Sequence, residues 1–472
     1  LVKDKPDSLA FAERLFDGIP TAELENHTDE SIMALVGEAY RFLHQPLKPK
    51  QLKLELFNPN FSRHSLAMVN VADQPFLVDS IGLELNRRDI NIHHTFHPVL
   101  RTRRNKQGGI EAFCGEAFYG QQDASDNAEN NTENNTGHDT KNEQNTQESL
   151  ILIEFDRQDE KSLKEIKQAL EQTILLAQQV VKDFTGLTEK MRHVTRALGH
   201  AKSHDPQEDM AENAAFLEWL LDDHFIFLGY RQYDIDHTKK EPTIRVRQGA
   251  GLGILRGDEA SSLKEETKLG NISANLQYYI QSPQSLTLTK AITRSNIHRN
   301  VDMDYIGVKE FDENGNAVKE HRFLGLFTSK AHTCSAHEIP LVRKKIEAVL
   351  SAEQNTRGHN LRALVNILET YPREELFQIS VEDLHRIALA VLHLKDRQTT
   401  RLLVRRGAED RLISAMVFLP RDSLTRINRA RIGRVLKQAF DAEDMSYNIH
   451  VGDAALARIF YFIRTKPDSK PT

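Results

Sequence analysis

The pattern of apolar and polar residues from 65 to 105 predicts a β-α-β unit. Residues 66–71 form a short apolar run, which is typical of a strand. The residues that follow predict a helix with Asp73 as its N-cap and Pro75 at its first position. Residues 90–100 then indicate a second strand. Because a turn from strand to helix leaves backbone N–H groups free, such units often bind a ligand at that turn.

Further patterns around this unit complete one domain. Two helices are predicted within residues 9–43, strands at 110–119 and 150–155, and a long amphipathic helix at 162–198. Residues 121–148 contain no large apolar residue, so we expect a disordered insertion there. The order strand, helix, strand, strand, strand, helix fits an ACT-like, ferredoxin-type α/β sandwich.

The second half of the chain predicts another sheet, a helical region and a second small module. Apolar and alternating runs between 224 and 327, with a hairpin turn at Asn314-Gly315, indicate a mostly antiparallel sheet, for which a PAS-like domain is one option. The fold class is therefore multidomain α+β. The predicted organisation is N-terminal helices at 1–60, an ACT-like domain at 61–200 with the insertion 121–148 and the long helix, the antiparallel sheet domain at 207–330, a helical connector at 331–398 and a second ACT-like domain at 399–466.

Composition and charge narrow the classes of function. The chain has 62 basic and 68 acidic residues and a net charge of −6, and this near balance argues against a nucleic-acid binder. No apolar run has the length of a membrane span, and the first residues do not have a signal-peptide pattern. Two cysteines cannot build a disulfide framework, so we expect a cytoplasmic protein. The first residue, Leu1, and the linker-like end KPDSKPT lead us to expect an excerpt of a longer polypeptide.

Several stretches carry a family resemblance, namely DQPFLVDSIGLELNRRDINIHHTFHPVLRTRRN, LEWLLDDHFIFLGYRQY, GLGILRG, LTLTKAITRSNIHRNVDMDYIGVKEFD and ETYPREELFQ. In this order they resemble the N-terminal region of the large NAD-dependent glutamate dehydrogenases. The resemblance implies regulatory ACT domains and a full-length homo-oligomer that uses NAD. It also implies that the catalytic domain lies outside this chain, so no catalytic residue maps here and no cofactor is expected in the chain itself.

The turn after the first strand is the leading candidate for an effector site. Free N–H groups at the start of the helix favour a carboxylate, and Asp73 could hold the ammonium group of a small amino acid. We expect such a ligand to lie between two subunits or two ACT-like modules. The alternative is that Asp73 only caps the helix. The candidate residues are Asp73, Gln74, Phe76, Leu77, Val78 and Asp79.

Two basic clusters are candidate interfaces. The first lies at a strand end and predicts either a solvated hairpin tip or a contact with an acidic patch of another subunit. The second is interleaved with acidic residues, which is typical of an ion-paired interface. The clusters are Arg101, Arg103 and Arg104 in the first, and Lys290, Arg294, His298 and Arg299 in the second.

Three further motifs are weak. The glycines of QGAGLGIL are not followed by a helix, so they indicate a loop or a strand kink and no cofactor site. Two groups of potential metal ligands have spacings that do not predict a metal site. These groups are His93, His94 and His97, and His332, Cys334 and His337.

Three hypotheses about function follow. The first is a regulatory and assembly segment of an NAD-dependent glutamate dehydrogenase, whose partners are its own C-terminal catalytic domain and other subunits. The second is a stand-alone ACT-type amino-acid sensor or protein-interaction module. The third, an independent enzyme that uses His332, Cys334 and His337, would require a bound metal.

Overall fold

The chain forms two compact units. One contains residues 1–182 and 294–301, and the other contains residues 183–293 and 302–472. None of the described helices is long and apolar enough to cross a lipid bilayer. The computed structural model describes residues 8–20, 24, 27–48, 51–113, 145–201, 204, 208–238, 241–257, 266–272, 277, 280–353, 358–394, 397, 399–407, 411–452, 455–466 and 469.

The first unit contains an antiparallel sheet between two layers of helices. Its elements are α1 (Ser8–Leu15), α2 (Asp29–His44), β1 (Lys53–Phe57), β2 (Ser65–Ala72), α3 (Leu77–Asn86), β3 (Ile92–Phe96), β4 (Val99–Arg104), β5 (Ile110–Phe113), β6 (Asn145–Phe155) and α4 (Glu160–His200). The strand order is β1-β2-β6-β4-β5, and β3 also pairs with β6. The last part of α4 belongs to the second unit.

Strand β6 is buried on both faces. Leu150 and Leu152 pack with α1 and α2, whereas Ile151 and Ile153 pack with α3 and α4. A strand covered on both faces has a continuous apolar sequence, because neither set of alternating side chains meets water. This burial explains the clear strand signal of LILIEF.

Two predicted boundaries in this unit are wrong. Residues 145–148, which we assigned to the insertion, form the start of β6, and Glu148 is buried there. The predicted single strand at 90–100 is two strands, β3 and β4. The remainder of the predicted insertion, and the predicted strand beyond residue 113, lie outside the described residues.

The second unit contains two more antiparallel sheets and a group of helices. Its elements are α5 (Met210–Trp219), β7 (Phe225–Asp236), β8 (Thr243–Val246), β9 (Leu252–Gly253), β10 (Thr267–Lys268), β11 (Leu286–Arg294), β12 (Asp302–Phe311), β13 (Ala317–Phe327), α6 (Ser329–Thr333), α7 (Val342–Ala352), α8 (His359–Glu369), α9 (Arg373–Gln378), α10 (Val381–Leu394), β14 (Arg401–Arg406), β15 (Leu412–Pro420), α11 (Arg426–Ala439), β16 (Ala442–His450) and β17 (Leu456–Thr465). The strand orders are β10-β8-β7-β13-β12-β11, with β9 on β7, and β14-β15-β17-β16.

One hydrophobic core joins the parts of the second unit. It extends from Phe227 and Phe323 on the larger sheet through Ile346 on α7 to Phe460 on β17. The other face of the β14–β17 sheet packs on α11. The predicted hairpin turn is present between β12 and β13, where Gly315 has a φ of 83°. The mixture of helices and antiparallel sheets confirms the predicted multidomain α+β class.

Candidate functional site

The predicted effector turn is tied to the central strand of the first sheet. The Ser149 hydroxyl on β6 donates to Asp73 Oδ1 at 2.5 Å, and the Asp73 N–H donates to the Gln147 carbonyl at 2.9 Å. Helix α3 begins at Leu77 after Phe76, which has a φ of 72°, and no side chain caps it. The predicted cap is therefore wrong: the Asp73 carboxylate is held by β6 instead of by the helix.

A histidine extends this polar contact. His97 Nε2 lies 2.9 Å from Ser149 Oγ. Because the single hydroxyl proton of Ser149 goes to Asp73, His97 Nε2 donates to the serine oxygen. Ser149 is buried, whereas Asp73 and His97 are exposed, so one buried hydroxyl joins two surface residues.

A loop distant in sequence covers the helix end of the turn. In residues 294–301, which belong to the first unit, His298 donates its backbone N–H to Ser80 Oγ at 3.3 Å. Its Nδ1 lies 2.8 Å from Asp79 Oδ2, and its ring lies 5.4 Å from that of Phe76. Two groups that we predicted separately, Asp79 in the turn and His298 in the basic cluster, thus meet.

The remaining residues of the turn divide between core and site. Leu77 is buried in the core with α4, and Val78 packs at the edge of that core. Gln74 Nε2 is buried and has no hydrogen-bond partner among the described residues. The turn therefore contains a buried, unpartnered amide donor in the residue that follows the exposed Asp73. A small amino acid carries the complementary pair, a carboxylate and an ammonium group.

Arg104 is not at a solvated hairpin tip. Its Nε and Nη2 donate to the two carboxylate oxygens of Glu148 at 2.6 and 2.8 Å, and its Nη1 donates to the Gly108 carbonyl at 2.7 Å. Burial opposes ionisation of Glu148, but hydrogen bonds from Arg104 and Thr102 bring its pKa below the usual value. The prediction that Arg104 lies at an interface is therefore wrong.

The other members of the two basic clusters differ in exposure. Lys290 is buried in the second unit, and its Nζ lies 2.8 Å from Asp304 Oδ1 and 3.8 Å from Glu374 Oε2. The prediction that Lys290 lies at an interface is therefore also wrong. Arg101, Arg103 and Arg294 are exposed, and Arg299 is half-buried. For these four arginines the interface role stays a prediction.

The glycine-rich stretch borders the larger sheet. Gly253 in β9 pairs with β7, and its N–H donates to Asp183 Oδ2 at 2.8 Å. A Cβ atom at Gly253 would lie 2.0 Å from the Leu228 carbonyl oxygen. Gly251 and Gly253 therefore allow close backbone packing, as the interpretation of a loop or strand kink predicted.

The weak metal motifs do not converge. His93 Nε2 lies 2.8 Å from Asp156, while His97 contacts Ser149. In the second group, the Cys334 thiol contacts the Ala331 carbonyl at 3.5 Å, and burial raises the pKa of that thiol. His337 Nε2 lies 3.8 Å from Glu369 Oε2, so His337, like Cys334, contacts a residue outside its group.

Comparison with known proteins gives the family. Models of the glutamate dehydrogenase ACT1 domain, helical motif 1 and ACT2 domain match residues 11–170, 339–397 and 401–472. The NAD-specific glutamate dehydrogenases of Halomonas elongata and Pseudomonas aeruginosa are 30% and 29% identical to this chain over 98% and 99% of its length. That of Mycobacterium tuberculosis is 26% identical over 65% of the chain.

The fold and these matches define a segment with two ACT domains and a helical motif between them. The chain belongs to the NAD-specific glutamate dehydrogenase family and corresponds to its N-terminal segment. It spans 28% of the length of the Halomonas and Pseudomonas relatives.

Proposed function

We propose that this chain is the regulatory and assembly segment of an NAD-specific glutamate dehydrogenase. The whole enzyme would convert L-glutamate, NAD and water to 2-oxoglutarate, ammonium and NADH in the cytoplasm. The observation that carries the proposal is the match of two ACT domains and a helical motif in a chain that spans only 28% of its relatives. The partners would be the catalytic domain of the same polypeptide and other subunits of a homo-oligomer.

The effector would be a small amino acid at the turn of the first ACT domain. The exposed Asp73 carboxylate would bind its ammonium group, and the buried Gln74 amide would donate to its carboxylate. Ser149 holds Asp73 in place, and His298 covers the adjacent helix end through Asp79. An amino acid suits these groups better than a simple anion because the turn offers both a donor and a negative charge.

Isothermal titration calorimetry with each proteinogenic amino acid tests the effector site. We expect one or a few of them to bind the wild-type chain. Asp73→Ala should weaken this binding about tenfold or more, because it removes a charge-assisted hydrogen bond of about 1.5–3 kcal/mol.

The matched control for this titration is Glu171→Ala, which removes an exposed carboxylate from α4 in the same unit. Its affinity should equal that of the wild type. Binding that survives Asp73→Ala unchanged would place the site elsewhere. If no amino acid binds, the effector part of the proposal fails, while family membership stands on the comparisons.

The purified chain should not form NADH from glutamate and NAD. The one glycine-rich stretch that suggests a dinucleotide fingerprint is instead packed against β7, and no helix opens on its last glycine. The measurement is absorbance of NADH, with a full-length NAD-specific glutamate dehydrogenase as the positive control. Turnover by the isolated chain would contradict the assignment of catalysis to another part of the polypeptide.

A stand-alone amino-acid sensor is the second candidate. It is favoured by one observation: the groups around the turn, from Asp73 and Ser149 to His298, all belong to one compact unit. An immunoblot of the native polypeptide separates the candidates. A product several times longer than this chain supports the dehydrogenase segment, and a product of 53.9 kDa supports the sensor.

A further inference from the structure

Three side chains that are far apart in sequence converge beneath the start of α2. His94 on β3 is the cross-strand partner of Glu154 on β6, after a break in register between Ile92 and His94. His27 lies immediately before Thr28, the N-cap of α2. One nitrogen of each imidazole and one carboxylate oxygen of Glu154 all lie within 4.8 Å of one another.

The sequence pattern missed this group because its three members are far apart along the chain and meet only through the pairing of β3 with β6. The alternation of side chains along a strand places His94 on the opposite face from His93 and His97, but it does not show which residues His94 meets there. In the folded sheet, His94 lies on the face of α1 and α2, where its ring is 6.3 Å from that of Phe96 and 4.8 Å from that of His27. Glu154 follows Leu150 and Leu152 on the same face of β6.

Two polar atoms of this group, one on Glu154 and one on His27, have no hydrogen-bond partner among the described residues. The Glu154 side chain is 1% exposed and that of His27 is 11% exposed. Glu154 Oε2 and His27 Nε2 are buried without a hydrogen-bond partner among the described residues, and the 3.6 Å between them exceeds a hydrogen bond. Burial raises the pKa of the Glu154 carboxyl and lowers that of the His27 imidazole, since each charged form is desolvated.

A metal ion would satisfy the two unpartnered atoms of Glu154 and His27, with His94 as a third ligand. Two imidazole nitrogens and one carboxylate oxygen are a ligand set that Zn²⁺ uses in proteins, with water as the fourth ligand. Metal–ligand bonds of about 2.0–2.2 Å place tetrahedral ligands about 3.3–3.6 Å apart. The 3.6 Å between His27 Nε2 and Glu154 Oε2 is close to this spacing.

We propose that His27, His94 and Glu154 form a binding site for a divalent transition metal ion of the zinc type. The ion would join the start of α2 to β3 and β6, and so fix the N-terminal helices on the sheet of the first ACT domain. Its role would be structural, because its ligands come from β3, from β6 and from the residue before the N-cap of α2, all in one unit.

Zinc titration of the purified full chain, after treatment with a chelator, tests the site. We expect one Zn²⁺ per chain by calorimetry and a higher melting temperature with zinc than without it. Glu154→Gln, which keeps the shape of the side chain, and His94→Gln should each weaken zinc binding about tenfold or more. Circular dichroism in the absence of metal confirms that each variant is folded.

His93→Gln is the matched control, because this neighbouring histidine of β3 contacts Asp156 and is outside the group. It should bind zinc like the wild type. Binding that is lost in Cys334→Ala but kept in Glu154→Gln would place the ion at the other cluster and overturn the proposal. So would the absence of stoichiometric zinc in the wild type, or equal affinity in the Glu154, His94 and His93 variants.

Discussion

Glu375→Ala should destabilise the second unit by about 3–5 kcal/mol, because it leaves a buried arginine without its counter-charge. Glu375 on α9 is 1% exposed. Its Oε2 accepts from Arg405 Nη2 at 2.9 Å and from Ser414 Oγ at 2.6 Å, and its Oε1 accepts from Arg405 Nε. Arg405 and Ser414 are cross-strand neighbours on β14 and β15, so the Glu375 carboxylate fixes α9 to the β14–β17 sheet.

Urea unfolding followed by tryptophan fluorescence measures this effect. Trp219 is the only tryptophan of the chain, and its ring lies 6.1 Å from that of Phe377, two residues from Glu375. The control Glu347→Ala removes an exposed carboxylate from α7 and should change the free energy of unfolding by less than about 0.5 kcal/mol. A loss below about 1 kcal/mol in Glu375→Ala would show that water reaches Arg405 and replaces the carboxylate.

Gly253→Ala should destabilise the same unit by about 3 kcal/mol or more. Gly253 has a φ of 58°, which costs any other residue conformational strain. In addition, the new Cβ atom would lie 2.0 Å from the Leu228 carbonyl oxygen on the neighbouring strand. Because backbone atoms cannot rotate away as a side chain can, β9 would have to separate from β7, and the hydrogen bond from Gly253 to Asp183 would be disturbed.

Alanine substitutions at Gly249 and at the nearby Gly257 distinguish the cost of backbone strain from the cost of steric collision. Gly249 has a φ of 71° but nothing within 4 Å of its Cβ position, so Gly249→Ala should cost only the strain, about 1–2 kcal/mol. Gly257 has open space and no positive φ, so Gly257→Ala should be nearly neutral. Trp219 fluorescence in urea gives all three values. If Gly253→Ala lowers the free energy of unfolding no more than Gly249→Ala does, β9 does not approach the Leu228 carbonyl as closely as described.

The sequence predicted most helices and strands because their apolar periodicity reflects local burial. The helix predicted at 162–198 lies within α4, two residues short of each end, and the strand predicted at 150–155 is the second half of β6. Element ends were less certain where one polar residue has two possible roles. Aspartate is a residue type that often caps helices, and Asp73 lies where a cap is expected. Its carboxylate instead accepts a hydrogen bond from Ser149, which only the folded sheet brings near.

The family resemblance and the α+β class thus follow from the sequence itself, since motif order and hydrophobic periodicity are properties of the linear chain. The contacts that build the sites were decided by the tertiary structure. His298 meets Asp79 across 219 positions and Arg104 meets Glu148 across 44. Glu154 comes within 3.6 Å of His27 on the face of the sheet where α2 packs. Partners such as these depend on strand order and register, which bring together residues whose own sequence neighbourhoods contain no sign of one another.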